Sequence, residues 1–182
     1  MQENHYLVPA QLSGLQKNIE YSIHTHAVED AEDWFVDAKE RLLDVNNWIK
    51  YSSIPDIDFH ITDGHSEVLK RKAHNKDHIR IDIVSRKTGF DWVAIDALEY
   101  DDYPDLSMET FAMRIRPTTS PQNIPDMGIA NAATSTIVIE RIGKRLSASY
   151  HGRNESSDDN TDPAWLGLSD VQWNNLMKGL ID

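Results

Sequence analysis

Two amphipathic helical patterns enclose an unbroken series of strand-like runs, and that arrangement constrains this chain more than any other feature. From residue 57 to residue 151 apolar side chains recur at every second position in segment after segment, and no helical period intervenes. Parallel strands need crossover connections, usually helices, so this order predicts an antiparallel sheet and an α+β fold.

The runs are explicit. Ile57, Phe59 and Ile61 alternate with Asp58, His60 and Thr62, after which Asp63-Gly64 marks a turn and residues 67–70 return as a short strand. Ile79, Ile81 and Ile83 alternate with Arg80 and Asp82, and Phe111, Met113 and Ile115 with Ala112, Arg114 and Arg116. Residues 91–99 are apolar on both faces through Trp92, Val93, Ile95 and Leu98, as in a central strand. Residues 134–140 and 145–151 flank Gly143 and read as a hairpin, and an early strand over 18–28 carries Ile19, Tyr21, Ile23 and Thr25. The total is six to seven strands.

The first helical pattern opens with Glu29, Asp30, Glu32 and Asp33, where the helix dipole favours negative charge. Its apolar stripe is Trp34, Ala38, Leu42, Val45 and Ile49, widened by Phe35 and Trp48, and Asn46-Asn47 divides it. The second begins at Ser169 with Gln172 three residues on, a capping box, and presents Trp173, Leu176, Met177 and Leu180 on one side. A chain of 182 residues, 40% hydrophobic and 26% charged, suits one domain over 1–182. Residues 1–17 are expected to wrap its surface, and 117–133 to form a long loop.

Cysteine is absent, which excludes disulfides, thiol nucleophiles and thiolate zinc sites. Eighteen Lys and Arg against 30 Asp and Glu leave a net charge of −12, so nucleic acid and anionic lipid are disfavoured as partners. The basic stretch Lys70, Arg71, Lys72 and Lys76 reads as a solvated turn. The start, Met1-Gln2-Glu3-Asn4-His5-Tyr6, has no basic and apolar leader, and no run approaches the ~18–20 apolar residues of a membrane span. The expectation is a soluble cytoplasmic protein without membrane insertion.

The stretch from Ala27-Val28-Glu29-Asp30-Ala31 through Trp34-Phe35, followed by Leu42-Leu43-Asp44-Val45-Asn46-Asn47-Trp48, resembles the START/polyketide-cyclase-like helix-grip (SRPBCC) superfamily. So does the order of elements. Ile79-Arg80-Ile81-Asp82-Ile83, Asp91-Trp92-Val93 and His151-Gly152-Arg153-Asn154-Glu155 also resemble blocks of an uncharacterised bacterial family. The resemblance implies a curved antiparallel sheet gripping a C-terminal helix, with an apolar cavity that takes lipids, polyketides or other hydrophobic molecules. A C-terminal helix of about a dozen residues is short for that grip, so a partly closed β-barrel with flanking helices stands as the alternative.

Candidate sites follow from the same pattern. The inward face of Ile81, Ile83, Phe111, Met113, Leu146 and Tyr150 is the expected lining for a small hydrophobic or amphipathic ligand. His151, Arg153 and Glu155 form the most concentrated polar cluster, able in principle to bind a carboxylate or run acid–base chemistry, with Gly152 permitting an unusual backbone. A strand-end network of ion pairs and turn caps explains the same residues. His24 and His26, with His60 or Asp58 from another strand, have the chemistry of a zinc set, but no spacing supplies a third ligand. His74 and His78 lack the glutamate of His-Glu-x-x-His, and Arg114 with Arg116 suits cross-strand ion pairs. Neither a Gly-rich phosphate loop nor a G-x-S-x-G elbow is present, so no cofactor and no metal are expected. Three functions remain: a ligand-binding cavity protein, a protein-interaction module with a filled core, and, less favoured, an enzyme using His151, Arg153 and Glu155.

Overall fold

The structure, a computed structural model, describes residues 5–53, 55–65, 67–83, 91–118, 133–155 and 168–182. Strand β1 (Leu15–His24) leads into helix α1 (Val28–Leu43), a 3-10 turn (Val45–Asn47) and the short helix α2 (Trp48–Ser52). Strands β2 (Ile57–Thr62), β3 (His78–Ile83), β4 (Asp91–Tyr103), β5 (Met108–Thr118), β6 (Thr134–Ile142) and β7 (Arg145–Glu155) follow, then helix α3 (Asp170–Ile181). All neighbours are antiparallel, in the order β1-β7-β6-β5-β4-β3-β2.

This is an α+β fold with an open, curved seven-stranded sheet, and the barrel alternative is excluded. β1 and β2 stand at opposite ends of the strand order and do not pair. The outer edge of β2 is instead met by residues 67–69, through the Thr62–Val68 bridge and the Leu69 N–H bond to the Ile61 carbonyl. Such cover blunts an edge that would otherwise recruit another strand.

The helices bury one face of the sheet, termed the inner face. Phe59, Ile81, Ile95, Met113, Ile139 and Leu146 meet Phe35, Ala38, Leu42 and Trp48 from the N-terminal helices and Trp173, Leu176 and Leu180 from α3 in one apolar cluster. Alternation along the strands explains the sheet's contribution, and a period near 3.6 explains that of the helices. Trp34, expected in the core, keeps 46% of its surface because α1 turns Ala31 and Phe35 inward instead, and Ile49 of the same stripe is only half-buried. The break at Asn46-Asn47 occurs as a 3-10 turn, in which Asn46 accepts from the Ile61 amide and donates to the Leu69 carbonyl. Ser169 caps α3, its hydroxyl accepting from Gln172 N–H while the Gln172 side chain accepts from Ser169 N–H.

Residues 5–14 cross the opposite, outer face. His5 lies beside Asp101 of β4, the Leu7 carbonyl accepts from Arg114 and Thr136, and Asn154 at the end of β7 binds residues 10–13. Leu7 packs there with Ala97, Ala112 and Val138 in a second, small apolar cluster. No helix among the described residues is long and apolar enough to cross a membrane. Of the expected loop over 117–133, Pro117 and Thr118 belong to the end of β5, and residues 119–132 lie outside the described residues.

Candidate functional site

The most unusual chemistry lies on the inner face where β6 begins and β7 ends. Tyr150 points inward with Leu146 and Ala148, and Ser135 of β6 stands opposite Gly152 on the same face. The Tyr150 hydroxyl is 2.8 Å from Ser135 Oγ and donates to Glu155 Oε1 at 2.9 Å. Above it the Trp173 ring stacks on Tyr150 at 3.8 Å between centroids and 15° between planes. A phenol this deeply buried needs a polar partner, and here it has two. Burial first, and then the adjacent Glu155 charge, push the Tyr150 hydroxyl well above its ordinary pKa of 10.0.

Regular alternation would send Glu155 to the outer face with His151 and Arg153. It comes inward because β7 carries an extra residue. Leu15 faces Glu155 and Lys17 faces Gly152, so two steps on β1 oppose three on β7. Asn154 takes up the difference in the left-handed region, φ 56°. Glu155 then folds back over Gly152. A Cβ on Gly152 would collide with Glu155 Oε1, and would lie 2.9 Å from its Cδ and 3.0 Å from the Tyr150 hydroxyl oxygen. Gly152 is therefore required for space, while the unusual backbone belongs to Asn154.

His151 stays on the outer face. Its Nδ1 is 3.0 Å from Asn18 Oδ1 and its Nε2 2.9 Å from Ser149 Oγ. An amide oxygen only accepts, so the neutral ring carries its proton on Nδ1 and accepts from the serine at Nε2. Burial, the Arg153 charge and His5 hold its pKa down at about 4. Arg153, 2% exposed, donates through Nη1 to the carbonyls of Gly152 and Lys17. Its Nη2 has no partner among the described residues, and neither has the hydroxyl of Thr134, its cross-strand neighbour.

The structure thus divides the polar cluster read from the sequence: His151 and Arg153 lie on one side of the sheet, and Glu155 joins Tyr150 on the other. The expected apolar lining does converge. Ile81, Phe111, Met113, Leu146 and Tyr150 belong to one buried cluster, with Ile83 half-buried against it. Met113, Leu146 and Tyr150 leave no accessible surface, whereas Phe111 retains 7%. His24 and His60 occupy opposite edges of the sheet, so the residues with the chemistry of a zinc set are not brought together. Among the described residues no three His, Cys, Asp or Glu side chains are disposed to hold a metal. His60 instead lies 3.5 and 3.4 Å from Asp58 and Asp82. Arg114 and Arg116 both pair with Asp96, and Arg71 pairs with Asp77, closing the basic turn on itself. Elsewhere, a cleft of about 360 Å³ between α1 and the β4–β5 turn holds Arg141 already bonded to Glu109 and Ser107.

No protein-family model matches the chain, and no curated protein does. Among solved structures, a hypothetical protein from Helicobacter pylori overlays with a TM-score of 0.52 at 13% identity, covering 93% of this chain and 87% of its own. That overlay shows a shared fold. Two structures of norcoclaurine synthase from Thalictrum flavum match at 11% identity. One has a TM-score of 0.34 over 97% of this chain and 92% of its own. The other, a truncated form, has a TM-score of 0.33 over 80% and 81%. Overlays that loose have no bearing on what this chain does.

Proposed function

We propose that this chain is a helix-grip protein that binds a small molecule with an apolar body and a hydrogen-bond-donating head. The body lies along the inner face beneath the helices, past Met113 and Leu146, and the head meets Glu155 beneath α3. The observation that carries this reading is the Ser135–Tyr150–Glu155 network, a polar set within an apolar face. Two backbone provisions, a glycine at 152 and a left-handed asparagine at 154, create it. Ligand sites commonly combine apolar walls with a few placed polar groups in this way. Because the closed chain covers Tyr150 completely, uptake requires α3 to move off β7, and the Tyr150–Trp173 stack is the contact that opens. An aromatic pair of this kind is worth about 0.5–1.5 kcal/mol beyond its buried area, within reach of a ligand's binding energy.

Thermal unfolding with a panel of molecules sharing one apolar body, with amine, hydroxyl or carboxylate heads, tests the reading. Amine and hydroxyl members are expected to raise stability in a saturable way, by about 2.7 kcal/mol at a hundred times Kd. The carboxylate member is expected to be weakest, and Glu155→Gln to narrow the difference. A flat response to the whole panel overturns it. The zero exposure of Met113, Leu146 and Tyr150 favours a second reading, a filled core in a protein-interaction module, and the flat response is what that reading predicts.

A further inference from the structure

The inward turn of Glu155 is held from the far side of the sheet. Asn154 Oδ1 accepts from the backbone amides of Leu12 at 2.7 Å and Ser13 at 3.2 Å, and its Nδ2 donates to the Ala10 carbonyl at 3.3 Å. The Asn154 amide donates in turn to Gln11 Oε1 at 2.8 Å. Gln11 Nε2 closes the clamp on its own segment, donating to the carbonyls of Ser13 and Gly14. Gly14, at φ 71°, lies so close to the Glu155 carbonyl oxygen that a Cβ would collide with it. All of these groups converge on the one residue whose left-handed backbone shifts the register of β7.

Two registers can be drawn for this strand end, and the structure shows the first of them. With the extra residue accommodated at Asn154, Glu155 faces inward and meets Tyr150. In regular alternation, Glu155 would face outward with His151 and Arg153. Asparagine tolerates the left-handed region but does not prefer it, so the four hydrogen bonds from residues 10–13 decide between the two.

We infer that residues 10–14 form an external positioning segment, with Gln11 and Asn154 as its positioning residues, which sets the buried Tyr150–Glu155 pair from the opposite face of the sheet. Seating the segment presents the Glu155 carboxylate inside, and unseating it withdraws that carboxylate. As regulation of ligand affinity, this rests on the inner face being the binding site. The coupling itself needs no ligand.

A double-mutant cycle in urea unfolding tests it, using the full chain with Gln11→Ala, Tyr150→Phe and both together. Gln11 has no described bond to Tyr150 and touches the opposite face, so an ordinary surface role gives additive effects. The inference predicts that Gln11→Ala shifts the unfolding equilibrium by roughly tenfold in the parent, as expected for losing bonds that hold a buried pair. In the Tyr150→Phe background, where Glu155 has no phenol to meet, the shift falls below about threefold. Asn154→Gly keeps the left-handed backbone but strips the side-chain bonds, and should repeat the Gln11→Ala pattern. Equal shifts in both backgrounds for both variants overturn the inference. That result leaves the ligand reading standing, just as a failed ligand panel leaves the cycle unaffected.

Discussion

Gly152→Ala is the sharpest perturbation available, because one methyl group must share space with the Glu155 carboxylate. The new Cβ would collide with Oε1 and lie 2.9 Å from Cδ and 3.0 Å from the Tyr150 hydroxyl oxygen, so the carboxylate has to leave. The hydrogen bond lost is charge-assisted, worth about 1.5–3 kcal/mol. Tyr150 keeps Ser135 at 2.8 Å, so the phenol is not orphaned. Lower unfolded-state entropy for alanine returns about 0.4–1 kcal/mol. The net expectation is a loss of about 1.5 kcal/mol. Urea unfolding should show a lower midpoint at unchanged m-value, and thermal unfolding a fall of about 3–6 °C for a chain of this size. Combining Gly152→Ala with Glu155→Ala removes the carboxylate collision and leaves only the 3.0 Å contact with the Tyr150 hydroxyl, so alanine at 152 should then cost less than about 1 kcal/mol. A Gly152→Ala variant as stable as the parent would refute the placement of Glu155 over Gly152.

Three further outcomes follow from the same geometry. With its pKa lowered from 6.5 to about 4, His151 stays neutral in the folded chain while the unfolded chain takes up a proton near 6.5. Stability is then full above pH 6.5, falls as pH drops to about 4 and levels off below, by about 2–3 kcal/mol for a partly exposed ring. His151→Gln should flatten that slope in pH-dependent unfolding. Ser169→Ala removes the hydroxyl that accepts from Gln172 N–H and should cost about 1 kcal/mol in urea unfolding. Gly179→Ala would drive a Cβ into the Tyr51 carbonyl, 2.5 Å from its carbon, prying α3 from α2. It should cost at least ~1–3 kcal/mol and speed amide exchange in α3 ahead of the sheet.

Much of the fold was legible because the signals were local and periodic. Alternation marked the inner face of β2, β3, β5 and β7, and the Ser169–Gln172 box marked the start of α3 to the residue. What stayed hidden was anything that broke a period or needed a partner distant in the chain. Parity places 151, 153 and 155 together, and only the pairing of β7 with β1 reveals that the count slips at Asn154. Trp34 counts as core by size and spacing, yet α1 is rotated so that Ala31 faces in. Ser135 and Trp173 entered the site from β6 and α3, and no spacing relates either to Tyr150. The one local hint was the glycine at 152 beside a polar run, which pointed to the right place for the wrong reason.

Native mass spectrometry of freshly purified protein, compared with the same sample denatured, asks whether the inner face holds a ligand. The expected result is a non-covalent mass that is released on denaturation and belongs to a molecule with an apolar body and an amine or hydroxyl head. The same preparation of Glu155→Gln should carry less of it. Bare chain mass in the native spectrum, with no small molecule released on denaturation, would contradict a binding site between the sheet and α3.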